Sequence, residues 1–119
     1  MQSKQIQIKS NNREELIDIT SRVEQAVAES GVANGIVTLF VTHTTAAVTI
    51  NENADPSVKR DILYKLNKDI PQNDGYQHGE GNSDAHLKSS LFGPSLQLLI
   101  IDGHLLLGTW QGVYFFEFD

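Results

Sequence analysis

His78, Glu80, Asp84 and His86 fall within one nine-residue stretch of the chain. Histidines with carboxylates close by are the usual protein ligands for zinc and similar divalent ions, with open positions left to water or substrate. His43, at the end of an apolar run, offers a third imidazole, so His43, His78 and His86 are the candidate metal ligands. A three-histidine zinc site would bring the pKa of its bound water toward ~7. Glu52 or Glu80 would then be the candidate general base. The spacing from His78 to His86 matches no tight ligand motif, so it defines a candidate rather than a signature. Between residues 69 and 86 the acids Asp69, Asp74, Glu80 and Asp84 occur with no Lys or Arg. Such a stretch either binds a cation or repels anions.

Three other segments concentrate polar groups that are costly to bury. His43-Thr44-Thr45 points hydrogen-bonding groups at one end of a strand, or simply caps a turn. Asn51-Glu52-Asn53 lies between a strand and a helix start, where turn chemistry explains both asparagines and solvation explains Glu52. Gly108 and Gly112 bracket Thr109-Trp110-Gln111, and glycines inside a β pattern mark bulges or close backbone approach. Trp110 reads as a core or interface anchor, or as a platform for a flat ligand. Lys88 lies one helical turn beyond Asp84, giving either an i,i+4 surface pair or a cation that steadies an anionic group near a helix start.

The elements that position these residues follow from periodicity and punctuation. Lys4 to Lys9 alternates polar and apolar, predicting a half-buried strand, and Leu16 to Ile19 predicts another. A helix follows, with Ser21 and Glu24 as a capping box, Thr20 as the competing N-cap and Gly31 as its C-terminal glycine. Gly35 to Thr42 is apolar on both faces and predicts a buried central strand; Ala46 to Ile50 predicts the next. Asp55-Pro56 opens a second helix, with Val58, Ile62, Leu63 and Leu66 as its stripe. Residues 69–82 form a long irregular loop, of the kind that is usually functional. A short helix capped by Asn82 or Ser83 ends near Gly93-Pro94. The last third predicts strands over 96–101, 104–109 and 113–118, with Asp102-Gly103 as a hairpin turn. The fold class is α+β: a single compact domain over 1–119, with a β-rich core of mostly antiparallel strands, two longer helices and one short one.

Composition narrows the function classes. With 119 residues, no cysteine and a formal charge of −6, the chain excludes thiolate zinc sites, Cys nucleophiles and disulfide staples. Nine basic against fifteen acidic residues argue against a nucleic-acid partner, which needs a basic face. No apolar run approaches the ~20 residues of a membrane span. The first ten residues show no apolar signal-peptide core, so a cytoplasmic protein is expected.

The stretches 41–47 (VTHTTAA), 51–56 (NENADP), 82–88 (NSDAHLK) and 107–112 (LGTWQG), in this order, resemble the YjbQ-like family of small α+β proteins. The resemblance covers roughly residues 3–119. It implies a homotrimer with a histidine-rich polar site that holds a metal or a phosphate-like ligand in some members. The activity it implies is a secondary thiamine-phosphate synthase, which joins an aminopyrimidine pyrophosphate to a thiazole phosphate and releases pyrophosphate, normally with magnesium. His43, His78, His86, Glu52, Asn82 and Lys88 match the family's positions. On this reading Glu52, His43 and His86 are the candidate catalytic residues. Thr44, Thr45, Asn51, Asn82, Asp84, Lys88, Thr109, Trp110 and Gln111 are the candidates for substrate binding. The expected partners are a small phosphorylated molecule and further copies of the chain. Two alternatives from other classes are a metal-dependent hydrolase or lyase at a three-histidine zinc site, and a non-enzymatic trimeric small-ligand-binding protein.

Overall fold

The computed structural model describes residues 1–119. Six strands and three helices follow in the order β1 (Glu15–Asp18), α1 (Thr20–Ser30), β2 (Gly35–Phe40), β3 (Ala46–Glu52), α2 (Pro56–Asp69), α3 (Ser83–Phe92), β4 (Ser95–Ile101), β5 (His104–Leu105) and β6 (Gln111–Glu117). They form two antiparallel three-stranded sheets, ordered β1-β6-β3 and β2-β4-β5. The α+β class and the single compact domain are as the sequence predicts. No helix is long and apolar enough to cross a membrane.

Strand β6 organises the core because both of its faces are covered. Val113 packs with Ile19, Val23 and Val27 of the α1 region and with Leu98, Ile100 and Leu105 of the second sheet. The alternate residues Tyr114 and Phe116 turn the other way, joining Leu16, Ala47, Ala85 and Phe118 against Ile62, Leu63 and Leu66 of α2. The first sheet therefore lies between α2 and α3 on one side and the second sheet with α1 on the other. Phe92, Phe116 and Phe118 stack near the end of α3, with ring centroids 4.6–6.2 Å apart.

Local signals explain most element ends. Asp55 caps α2 by accepting the Ser57 N–H at 2.9 Å, with Pro56 in the first turn. Gly31 ends α1 in the left-handed region, φ 72°. Asp102 and Gly103, at φ 50° and 81°, make the hairpin between β4 and β5.

Four expectations need correction. The capping box at Ser21 does not form: α1 starts at Thr20, whose N–H and hydroxyl both donate to Asp18 Oδ1. Strand β2 is an edge strand rather than a central one, and Ile36 and Phe40 on its outer face are 61% and 67% exposed. The predicted strand over 104–109 shortens to His104–Leu105, paired with Ile101 and Ile100; one more bond, from the Leu106 N–H to the Leu99 carbonyl at 2.9 Å, follows before the chain turns toward β6. Lys4–Lys9 joins no sheet, and residues 1–10 form no backbone–backbone hydrogen bond. The segment is tied instead by Gln2 to the Ser30 carbonyl, by Lys4 to Glu29, and by Ile8 against the core. A groove of ≈ 500 Å³ is lined by residues 4–8 on one side and by 38–43 on the other.

Candidate functional site

Antiparallel pairing of β3 with β6 sorts the four motifs into two pairs. At one end Glu52 faces Gln111 and Asn51 faces Gly112, which brings 51–53 against 108–112. At the other end Ala46 faces Glu117, the Phe118 N–H donates to the Thr45 carbonyl at 3.2 Å, and the Ser89 hydroxyl donates to the Thr44 carbonyl at 2.6 Å. This joins 43–45 to α3 and therefore to 82–88. The seven residues of β3 hold the two ends about 20 Å apart at ~3.3 Å per residue.

At the α3 end, the His78 and His86 rings lie edge to face with centroids 5.4 Å apart. They border an open depression of ≈ 410 Å³ with Tyr76, Gln77, Ser83 and Leu87. Tyr76 is fixed by its hydroxyl, which donates to the Pro71 carbonyl at 2.8 Å, and burial is the main cause that raises its pKa. His78 Nε2 lies 3.7 Å from Glu80. His43 belongs to the other groove, beside residues 4–8 and 38–42. No three His, Asp or Glu side chains are arranged to hold a metal ion, so the structure pairs two of the three predicted histidines and leaves His43 apart. Two imidazoles suit a borderline-soft ion such as Zn²⁺, whereas Mg²⁺ requires oxygen ligands in near-octahedral array. The pair does not fit resident magnesium.

Asp84 and Lys88 do not face this depression. Both side chains are buried, with the Lys88 ammonium 3.1 Å from Asp84, 2.6 Å from Asn67 Oδ1 and 3.6 Å from Glu14. Arg13 grips the other side of Asp84 through both of its terminal nitrogens at 3.0 and 3.3 Å and lies 3.6 Å from Asp119. Burial pushes the Asp84 carboxyl up, but the hydrogen bonds and charges of Arg13 and Lys88 outweigh it and leave the group below the usual carboxylate range. The predicted i,i+4 pair exists, but in the interior. Asn82 donates to Asp119 at 2.9 Å, while its own Oδ1 and Glu14 Oε2 are buried without a hydrogen-bond partner. Lys88 and Asp84 thus hold α3 in place and offer nothing to a phosphate.

At the other end a second polar cluster forms around Asp18, a residue that sequence reasoning missed. Its carboxylate accepts from Thr20 at 2.9 and 2.6 Å and from Asn53 Nδ2 at 3.3 Å. Burial raises the Asp18 pKa, and these bonds with the nearby Lys59 charge bring it below the usual range. Tyr114, pushed up by burial and by Asp18 and Glu52, donates its hydroxyl to the Glu52 carbonyl at 3.2 Å. Asn51 Oδ1 accepts the Glu52 N–H at 2.7 Å. The Glu52 carboxylate itself has no partner. Gln111 Oε1 accepts the Gly108 N–H at 2.7 Å, which closes a tight loop that presents Thr109 and Trp110 to solvent. A Cβ at Gly112 would meet Asn53 Nδ2 at 2.5 Å, so any larger residue there has to displace the Asn53 side chain. His104, outside every motif, sits 4.0 Å from Glu24 on the second sheet.

The class of protein is thus a small antiparallel α+β domain with two histidines and Ser83 at the open start of a helix and a glycine-bracketed Trp-Gln loop at the other end of the sheet. The family model "UPF0047 protein YjbQ-like" matches residues 4–119, and the chain belongs to that family. A UPF0047 protein of Methanocaldococcus jannaschii is 59% identical over 95% of this chain and 82% of its own length. The UPF0047 protein YugU of Bacillus subtilis is 48% identical over 98% and 89%. A crystal structure from Clostridium acetobutylicum, described as an uncharacterized conserved protein, superposes with a TM-score of 0.92 at 56% identity, covering 94% of this chain and 87% of that one. A structure from Sulfolobus solfataricus, described as a protein of unknown function, gives 0.89 at 35% identity over 94% and 82%.

Proposed function

We propose that the depression at the start of α3 binds a phosphorylated heterocycle, and that its reaction is the condensation of an aminopyrimidine pyrophosphate with a thiazole phosphate. One observation carries this reading: two imidazoles, the Ser83 hydroxyl and the first turn of α3 meet beside the Tyr76 ring. Imidazole N–H and helix-start N–H groups donate to phosphate oxygens. An aromatic face beside them supports a flat ring. In the reaction the thiazole nitrogen bonds the pyrimidine methylene carbon as the carbon–oxygen bond to pyrophosphate breaks. Magnesium, for which the chain supplies no cage, would arrive on the pyrophosphate as part of the substrate. His86 and His78 would hold phosphate oxygens, and Glu52 and His43 would act only where assembly brings them near. The homotrimer that the resemblance implies belongs to this proposal. The three-histidine hydrolase reading is not carried, because only two of the imidazoles meet.

The test is direct. Protein purified without a histidine tag is incubated with both precursors and magnesium, and thiamine phosphate is quantified beside the His86→Ala and His78→Ala variants. Product well above both controls is the expected result. No product above His86→Ala overturns the reaction, and saturable binding without turnover would leave a binding protein in its place.

A further inference from the structure

We propose that the Trp110 loop of one copy docks on the Leu87–Leu91 rim of the His86 depression of a second copy and leaves the depression open, so that Glu52 from one chain and His86 from the next complete one site. The proposal rests on the reading of the depression given above. Trp110 is the only tryptophan of the chain and is 62% exposed, yet its loop is not loose. The Gly108 and Gln111 bonds close it, and the Trp110 carbonyl accepts the Asn53 N–H at 2.9 Å. A large aromatic ring held rigidly in solvent is the usual form of an interface anchor.

The same chain carries a receptor for it. Leu87, which borders the open depression, and Leu91, one turn further along α3, are 46% and 68% exposed. The hydrogen-bonding groups are complementary as well. Glu52 has a carboxylate with no partner inside the chain, while neither the His86 nor the His78 ring makes a hydrogen bond within it, and His78 has only Glu80 at 3.7 Å. One chain cannot join these groups itself, because β3 holds them about 20 Å apart. Anchor and receptor are different patches of one subunit, so the contact is head-to-tail and closes into a ring when the rotation permits. A second copy is therefore the partner that covers this rim with its indole ring and supplies the missing acid.

Two measurements decide it. The single tryptophan reports on the interface without any activity. Acrylamide should quench it weakly in the wild-type protein and severalfold more strongly in Leu87→Glu and Leu91→Glu, two surface substitutions. Equal quenching in all three overturns the proposal, whether the indole is free in each or covered by something else. The second measurement is subunit exchange between Glu52→Gln and His86→Ala, each inactive alone. Random mixing in a ring leaves about a quarter of the shared sites with both native groups, so about a quarter of wild-type turnover should return. No recovery beside an active wild type overturns the shared site. If the wild type itself shows no turnover, the reaction proposal falls, and the quenching comparison alone decides the interface.

Discussion

The Lys88 ammonium is fully buried yet partnered on three sides by Asp84, Asn67 and Glu14, and Asp84 is gripped in turn by Arg13. Removing one member of a buried pair leaves an uncompensated charge, so Lys88→Ala and Asp84→Asn should each cost about 3–5 kcal/mol in denaturant unfolding. The pH dependence has a fixed sign. The folded Asp84 carboxyl binds its proton less readily than the unfolded one, whose ordinary value is 3.8. Its contribution is complete above that value and is lost as pH falls toward the depressed folded value. Unfolding midpoints measured from pH 6 downward should therefore drop along an acid limb that is shallower in Asp84→Asn. At this scale the sequence was half legible. The His78–His86 pair could be read because both residues lie in one local stretch. Arg13, Glu14 and Asp18 could not, because only long-range packing brings them to Asp84, Lys88 and Asn53 respectively. Lys88 and Asp84 were legible as a pair, but their burial was not, since an i,i+4 spacing has no information about what covers the helix face.

At the scale of elements, the signals that worked were those in which chain chemistry fixes the geometry locally: Asp55-Pro56, Gly31 and Asp102-Gly103. Strand partners are set by tertiary structure, which local periodicity does not encode. Gln5–Lys9 alternates polar and apolar yet has no partner, while Gly35–Phe40 is apolar on both faces and yet occupies an edge. Two elements meet most tightly where β6 begins against the turn after β3. The Gly112→Ala substitution would place its new methyl 2.5 Å from Asn53 Nδ2 and 2.8 Å from Asn53 Cβ. Overpacking of this kind should destabilise by about 1–3 kcal/mol. It should also pull Asn53 away from Asp18, loosening the loop that presents Trp110. Pairing it with Asn53→Gly, which removes the obstructing side chain, should give a double variant less destabilised than the sum of the singles, with a coupling of about 1 kcal/mol or more. Simple additivity in chemical denaturation would show that the contact is relieved by other means.

The molecule as a whole measures 50 × 31 × 22 Å with a radius of gyration of 15.5 Å, above the roughly 13.5 Å of a compact chain of this length. The excess reflects a first segment without a sheet partner and a second sheet without a cover. Ile36, Leu99 and Ile101 all point outward from that sheet, Ile36 directly opposite Leu99, at 61%, 49% and 44% exposure. Phe40 and Leu106 extend the same apolar surface. Large aliphatic and aromatic side chains grouped on one face gain from being covered on association. In the proposed homotrimer this face is the one with most to gain from burial, at about 25 cal/mol per Å² of apolar area. Assembly must also overcome the mutual repulsion of subunits carrying −6 each, which salt screens over a Debye length of about 8 Å at physiological strength. Leu99→Lys puts a charge at the centre of the face while leaving the inward side of β4 untouched. In light scattering after size-exclusion chromatography it should shift the protein from trimer to monomer, with an unchanged far-ultraviolet spectrum. The wild type should hold together more tightly at 0.15 M salt than at 0.01 M, because screening weakens repulsion without weakening apolar burial. A Leu99→Lys protein that stays trimeric would place the contact elsewhere, on the Trp110 loop and α3 alone, and would leave the second sheet as a surface for a different partner.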